Sequence, residues 1–398
     1  MISKYAYLFL LIALSVNNTF SQTRVVRWGG PTDGANSPAL VSSLTGVTQI
    51  YSNDGAFAAL KMDGSVVTWG NSDSGGDSSS VASSLTSGVT QIHSNYRGFA
   101  ALKSDGSVVF WGYHQEDYTI GFSTVASSLT SGVTKIFTTL QGAFAAVKTD
   151  GSVFTWGDPY NGGNSASVSN SLTSGVTQIY SNDRVFVALK TDGSVVTWGK
   201  SSYGGNSASV SNSLTSGITQ IYSNPSAFAA VKTDGSVVTW GASNYGGNSS
   251  SVASSLTSGV TQIYSTERAF AAVKTDGSVV TWGYSSYGGN SSSVASSLTS
   301  GVTQIYSTER AFAAVKTDGS VVTWGYSSYG GNSSSVASSL TSGVTKIYSQ
   351  KAVFAALKSD GSVVTWGSNS TGGDSSSVAS SLTSGVTQIY SNQRAFAA

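Results

Sequence analysis

Nine tryptophans, Trp28, Trp69, Trp111, Trp156, Trp198, Trp240, Trp282, Trp324 and Trp366, are separated by 41, 42, 45, 42, 42, 42, 42 and 42 residues. The chain has no other tryptophan, so one unit of about 42 residues has been copied along the whole protein. Residues 241–282 and 283–324 differ only at Ala242/Tyr284 and Asn244/Ser286. A fixed period between about 20 and 50 residues marks a solenoid or propeller, in which each unit buries its apolar faces on its neighbours. That constraint outweighs any domain count made from length.

Residues 259–289 serve as the reference unit. Val260–Ser265 alternates and is β-rich, which predicts a strand, and Ala269–Lys274 predicts a second. Thr275-Asp276-Gly277 is a tight hairpin signal, because glycine accepts positive φ and aspartate caps the turn. Ser278–Trp282 is then a third strand, antiparallel to the second. Asp-Gly recurs at Asp63, Asp105, Asp150, Asp192, Asp234, Asp276, Asp318 and Asp360, each six residues before its tryptophan. The remainder of the unit is too polar for a buried strand and predicts a return segment with one helical turn around Val-Ala-Ser-Ser-Leu. Three short strands cannot bury both faces alone. The small-large alternation of Ala-Phe-Ala-Ala suits a sheet stacked between two others, with the tryptophan packed between blades.

Ala-Phe-Ala-Ala-Val-Lys-Thr-Asp-Gly-Ser-Val-Val-Thr-Trp-Gly, followed by Tyr-Gly-Gly-Asn, resembles the regulator-of-chromosome-condensation repeat over residues 23–398. The short three-stranded unit is most similar in style to the secreted β-lactamase-inhibitor propellers of that superfamily. The resemblance implies an all-β propeller that binds proteins. Two departures limit it. Arg-Ala, Ser-Ala or Ala-Val stands where the family often has histidine before the second strand, and nothing matches the nucleotide-exchange or chromatin-contacting segments of the nuclear members.

The two ends of the chain are complementary. Residues 24–29 are a third strand with no first or second before them, and 386–398 are a first and second with no third after them. Joined, they complete one composite blade beside eight whole ones, nine in all, latched by the N- and C-terminal strands. Nine exceeds the roughly four to eight blades usual in propellers, so truncation of a longer reading frame is the alternative. Ahead of the repeats, Lys4, the apolar run Tyr5–Leu14 and the small residues of Thr19-Phe20-Ser21 form a secretory signal peptide over 1–21. The run is too short to span about 30 Å of hydrocarbon. The repeat domain then occupies 22–398, secreted or at the cell surface, without disulfides because the chain has no cysteine.

With 20 Lys+Arg against 19 Asp+Glu, the net charge of +1 gives no case for nucleic acid or an anionic membrane as partner. Catalysis is not expected either. Of the two histidines, His93 stands at a tyrosine position of a first strand, and His114 with Glu116 and Asp117 lies in one loop. No nucleophile–base–orienter set, phosphate-cradling loop, cofactor site or metal site can be assigned.

Strand direction puts the loop between first and second strands and the segment after Trp-Gly on one side, opposite the Asp-Gly turns. The turns nearly repeat, whereas the other side varies. Its candidate binding residues are Asp54, Tyr96, Arg97, Asp183, Arg184, Tyr203, Tyr245, Glu267, Arg268, Tyr287, Glu309, Arg310, Tyr329 and Arg394, with the longer loop His114–Phe122 beside them. Variable loops rich in Arg and Tyr on a rigid scaffold suit an extracellular protein or glycan as partner. Near-identical adjacent units would equally suit a structural or adhesive surface protein. A hydrolase or lyase would need a convergent His/carboxylate set in a central opening.

Overall fold

In the computed structural model, Val260–Ser265, Ala269–Lys274 and Val279–Gly283 pair antiparallel into one sheet in sequence order. Described residues are 44–112, 121–392 and 394–398. They contain eight such three-stranded sheets, followed by a two-stranded one, Tyr390–Ser391 with Phe396–Ala397. The fold is all-β, with the consecutive antiparallel sheets of propeller blades, nine in number. The strand expected at 24–29 as the ninth blade's third, and so the latch, lies outside the described residues. So do the signal peptide and the loop residues His114, Glu116 and Asp117.

The chain forms two compact units, residues 1–191 with 196–200, and residues 192–195 with 201–398. In the second, the logic of Ala-Phe-Ala-Ala is visible. Successive strand side chains point to opposite faces. Ala269, Ala271 and Val273 face the following repeat and meet Ile305, Phe312, Ala314 and Trp324. Phe270, Ala272 and Trp282 face the preceding repeat and meet Ala227, Ala229 and Val231. An alanine face thus receives an aromatic face at each interface. Sheets about 10 Å apart can be filled this way without voids. The first unit repeats the scheme, with Ala143, Ala145 and Val147 against Phe186, Ala188 and Trp198.

The tryptophans do more than fill space. Trp282 is 1% exposed, stacks on its cross-strand partner Phe270 with centroids 5.4 Å apart, and donates from Nε1 to the carbonyl of Gly246 at 3.0 Å. Gly246 belongs to the preceding repeat, 36 residues earlier. The same bond joins Trp111 to Gly75, Trp198 to Gly162, Trp240 to Gly204, Trp324 to Gly288 and Trp366 to Gly330. Gly246 has φ +90°, and a Cβ there would stand 2.7 Å from the Phe270 ring. Backbone handedness and close approach both require glycine, which explains Tyr-Gly-Gly-Asn.

The opposite end is locked by the Asp-Gly turn. Asp276 accepts from Ser278 N at 2.9 Å, so Ser278 closes the turn and the third strand begins at Val279 rather than at the expected Ser278. Val302 N, in the next repeat, donates to Gly277 O at 3.0 Å. The return segment holds two 3-10 helices, Ser285–Tyr287 and Ser292–Leu298, where one helical turn was expected. Leu298 plugs the core, and Lys316 Nζ donates to Ser297 O at 3.0 Å, satisfying the helix's terminal carbonyl.

Candidate binding face

At least five blades tie their two variable loops together, whereas the equivalent Asn95 Nδ2 has no partner among the described residues. Thr266, between first and second strands, accepts from Ala269 N and donates to Tyr287 O at 2.9 Å, in the segment after the third strand. Thr308 does the same to Tyr329 O. Asn53, Asn224 and Gln350 reach Ser74 O, Tyr245 O and Thr371 O from the equivalent loops. The two loop sets therefore share one end of every such blade, with the Asp-Gly turn at the other.

At that end of the second unit, five of the expected residues form an alternating stack. The Arg268 guanidinium lies 4.8 Å from the Tyr245 centroid and 5.2 Å from that of Tyr287. Arg310 follows, 4.8 Å from Tyr287 and 4.7 Å from Tyr329. Cation–π pairs are worth about 0.5 kcal/mol when exposed and about 2 when desolvated, so the stack also stiffens the loops. Glu267 and Glu309 join it through the backbone, Glu267 N donating to Glu309 O and Glu309 N to Lys351 O. Tyr287 is only 8% exposed, which assigns its ring to holding the arginines.

Sequence reasoning missed Tyr284 and Tyr326, which are 45% and 44% exposed and stand edge-on to Tyr287 and Tyr329. Their signal was the Ala242/Tyr284 difference between otherwise near-identical repeats. Tyr203 ends the equivalent 3-10 turn, Ser201–Tyr203, half-buried.

The other expected residues form separate groups. In the first unit, Arg97 lies over Tyr96 at 4.8 Å. Asp183 is buried, its carbonyl accepting from Gln141 N, and Arg184 Nη1 reaches Asn161 Oδ1 at 3.4 Å. Asp54 is exposed there, and Arg394 is exposed in the second unit. His93 is half-buried with Nε2 unpartnered among the described residues, and burial lowers its pKa, favouring the neutral ring. Among the described residues no three His, Cys, Asp or Glu side chains gather as a metal site, and no helix is long and apolar enough to cross a membrane.

No family model and no curated protein matches the chain. Among solved structures it is similar to the computationally designed Ika8 protein, at 13% identity over 81% of this chain and 96% of that one, TM-score 0.30. It is also similar to the receptor kinase CR4 ectodomain of Physcomitrella patens, at 12% identity over 70% and 72%, TM-score 0.34. Yeast RCC1 (Prp20), solved bound to Kap60, is similar at 16% identity over 62% and 72%, TM-score 0.35. The assignment of blades rests on the strand pairing of this chain itself.

Proposed function

We propose that this chain is a secreted, non-catalytic binding protein, whose blades present one face of variable loops to an extracellular protein or glycan. The observation that carries the reading is the bond that joins the first-to-second-strand loop to the segment after the third strand in at least five blades, as from Thr266 to Tyr287 O. It gathers the variable loops, with Arg268, Arg310, Tyr287 and Tyr329, at one end of the blade, while the near-constant Asp-Gly turns occupy the other. Rigid scaffolds with variable loops on one face are built for recognition. Export rests on Lys4, Tyr5–Leu14 and Thr19-Phe20-Ser21, with cleavage before Gln22. A structural or adhesive role draws on one observation, the equivalence of the Glu267-Arg268 and Glu309-Arg310 loops.

The test is capture. Mature protein is immobilised against extracellular protein extract and a glycan array, beside Arg268→Ala/Arg310→Ala and Thr275→Ala/Thr317→Ala variants. Specific capture lost in the arginine variant and kept in the threonine variant supports the reading; the reverse places function at the turn end. An intact Met1 on secreted material would refute the cleavage.

A further inference from the structure

We propose that the loops of the two adjacent tyrosine-bearing repeats form two equivalent subsites for an uncharged linear polysaccharide, an inference that rests on the binding-face reading above. The first subsite is Arg268, Glu267 and Tyr284; the second is Arg310, Glu309 and Tyr326. They are copies in geometry as well as in sequence. Each guanidinium lies 5.9 Å from the centroid of its exposed tyrosine. Each exposed tyrosine stands edge-on to a more buried one, at 5.6 Å and 83° for Tyr284, and 5.7 Å and 75° for Tyr326.

The chemistry matches a sugar better than a protein. An exposed ring held upright by a second ring offers a rigid apolar face, which a pyranose covers with its C–H groups. A guanidinium sandwiched between rings keeps its in-plane N–H donors for hydrogen bonding, and sugar hydroxyls accept from them. Glu267 and Glu309 beside the arginines disfavour a polymer with a negative charge on every unit.

Repetition favours a polymer. Arg268 and Arg310 share the Tyr287 ring, at 5.2 and 4.8 Å from its centroid, so their guanidinium carbons are at most about 10 Å apart. That is within reach of a disaccharide. A homopolymer presents the same chemistry to both subsites, and two linked contacts multiply affinity. The site is bounded, because Ala242 precedes and Ser368 follows at the Tyr284 position.

Affinity electrophoresis of the full chain through gels containing xylan, hydroxyethyl-cellulose, galactomannan or polygalacturonate tests this. Retardation is expected in at least one uncharged gel, reduced several-fold by Tyr284→Ala or Tyr326→Ala and abolished by both together, with circular dichroism unchanged. Tyr284→Phe should retain it, since the ring face and not the hydroxyl is used. Retardation in polygalacturonate alone overturns the uncharged ligand. Equal retardation of the double variant overturns the subsites while leaving glycan binding intact. No retardation in any gel overturns the inference, and protein capture through Arg268 and Arg310 would then still uphold the binding-face reading.

Discussion

Trp198 and Trp156 offer an internal comparison for the bond that joins one repeat to the next. Both are buried in the first unit, at 2% and 0% exposure. Trp198 stacks near Phe186 at 5.4 Å and donates to Gly162 O at 3.0 Å. Trp156 stacks on Phe144 at 5.3 Å and meets Phe110 and Phe122 edge-on, but its Nε1 is buried without a partner among the described residues. Replacing either by phenylalanine keeps a six-membered ring and removes the N–H. At Trp198 this orphans a buried carbonyl, which costs about 1–3 kcal/mol, whereas at Trp156 it removes an orphaned donor and recovers a cost of the same order. Trp198→Phe should therefore be more destabilising than Trp156→Phe by at least about 2 kcal/mol, roughly thirtyfold or more in the opening equilibrium. Native-state hydrogen exchange of the amides in each blade reads that difference locally, which matters because a repeat array need not unfold all at once. Equal losses, or a greater loss at Trp156, would refute the claim that the indole N–H links adjacent repeats.

Gly246→Ala should destabilise more than Gly259→Ala, because both have positive φ but only at Gly246 would the new Cβ strike a ring, at 2.7 Å rather than 3.4 Å from its nearest neighbour; equal urea midpoints would contradict this. The carboxyls of Asp63, Asp105, Asp150, Asp234, Asp276, Asp318 and Asp360 are held below the usual value of 3.8, first by side-chain hydrogen bonds from serine. Their stabilisation is complete above that value and is lost as pH falls through the lower folded-state pKa. The melting temperature should thus fall in acid below that range, and less steeply in Asp276→Asn/Asp318→Asn; an unchanged slope would refute it. In a glycosylating host, mass spectrometry should find glycans on Asn248, Asn290, Asn332 and Asn369, all exposed in Asn-x-Ser/Thr sites; bare asparagines on secreted protein would count against it.

The blade itself was legible because its cues are local. Val260–Ser265 and Ala269–Lys274 have the predicted bounds, since alternation and the Asp-Gly turn act within a few residues. What joins the blades was less visible. The bond from Trp282 to Gly246 spans 36 residues, and a period alone does not say which atoms meet. The binding face was legible as composition and not as depth. Tyr287 and Tyr284 lie three residues apart and are chemically identical, yet one is buried between two guanidiniums and the other exposed. Only the 3-10 turn Ser285–Tyr287, which sequence reasoning did not anticipate, separates their roles.

The central claim is that recognition belongs to the loop end of the blades. Hydrogen exchange of the full chain, with and without the polysaccharide or protein it captures, tests this most directly. Slowed exchange at residues 266–268 and 308–310 and at 284–287 and 326–329, with none at 275–277 or 317–319, is the predicted result. Protection confined to the Asp-Gly turns would contradict it.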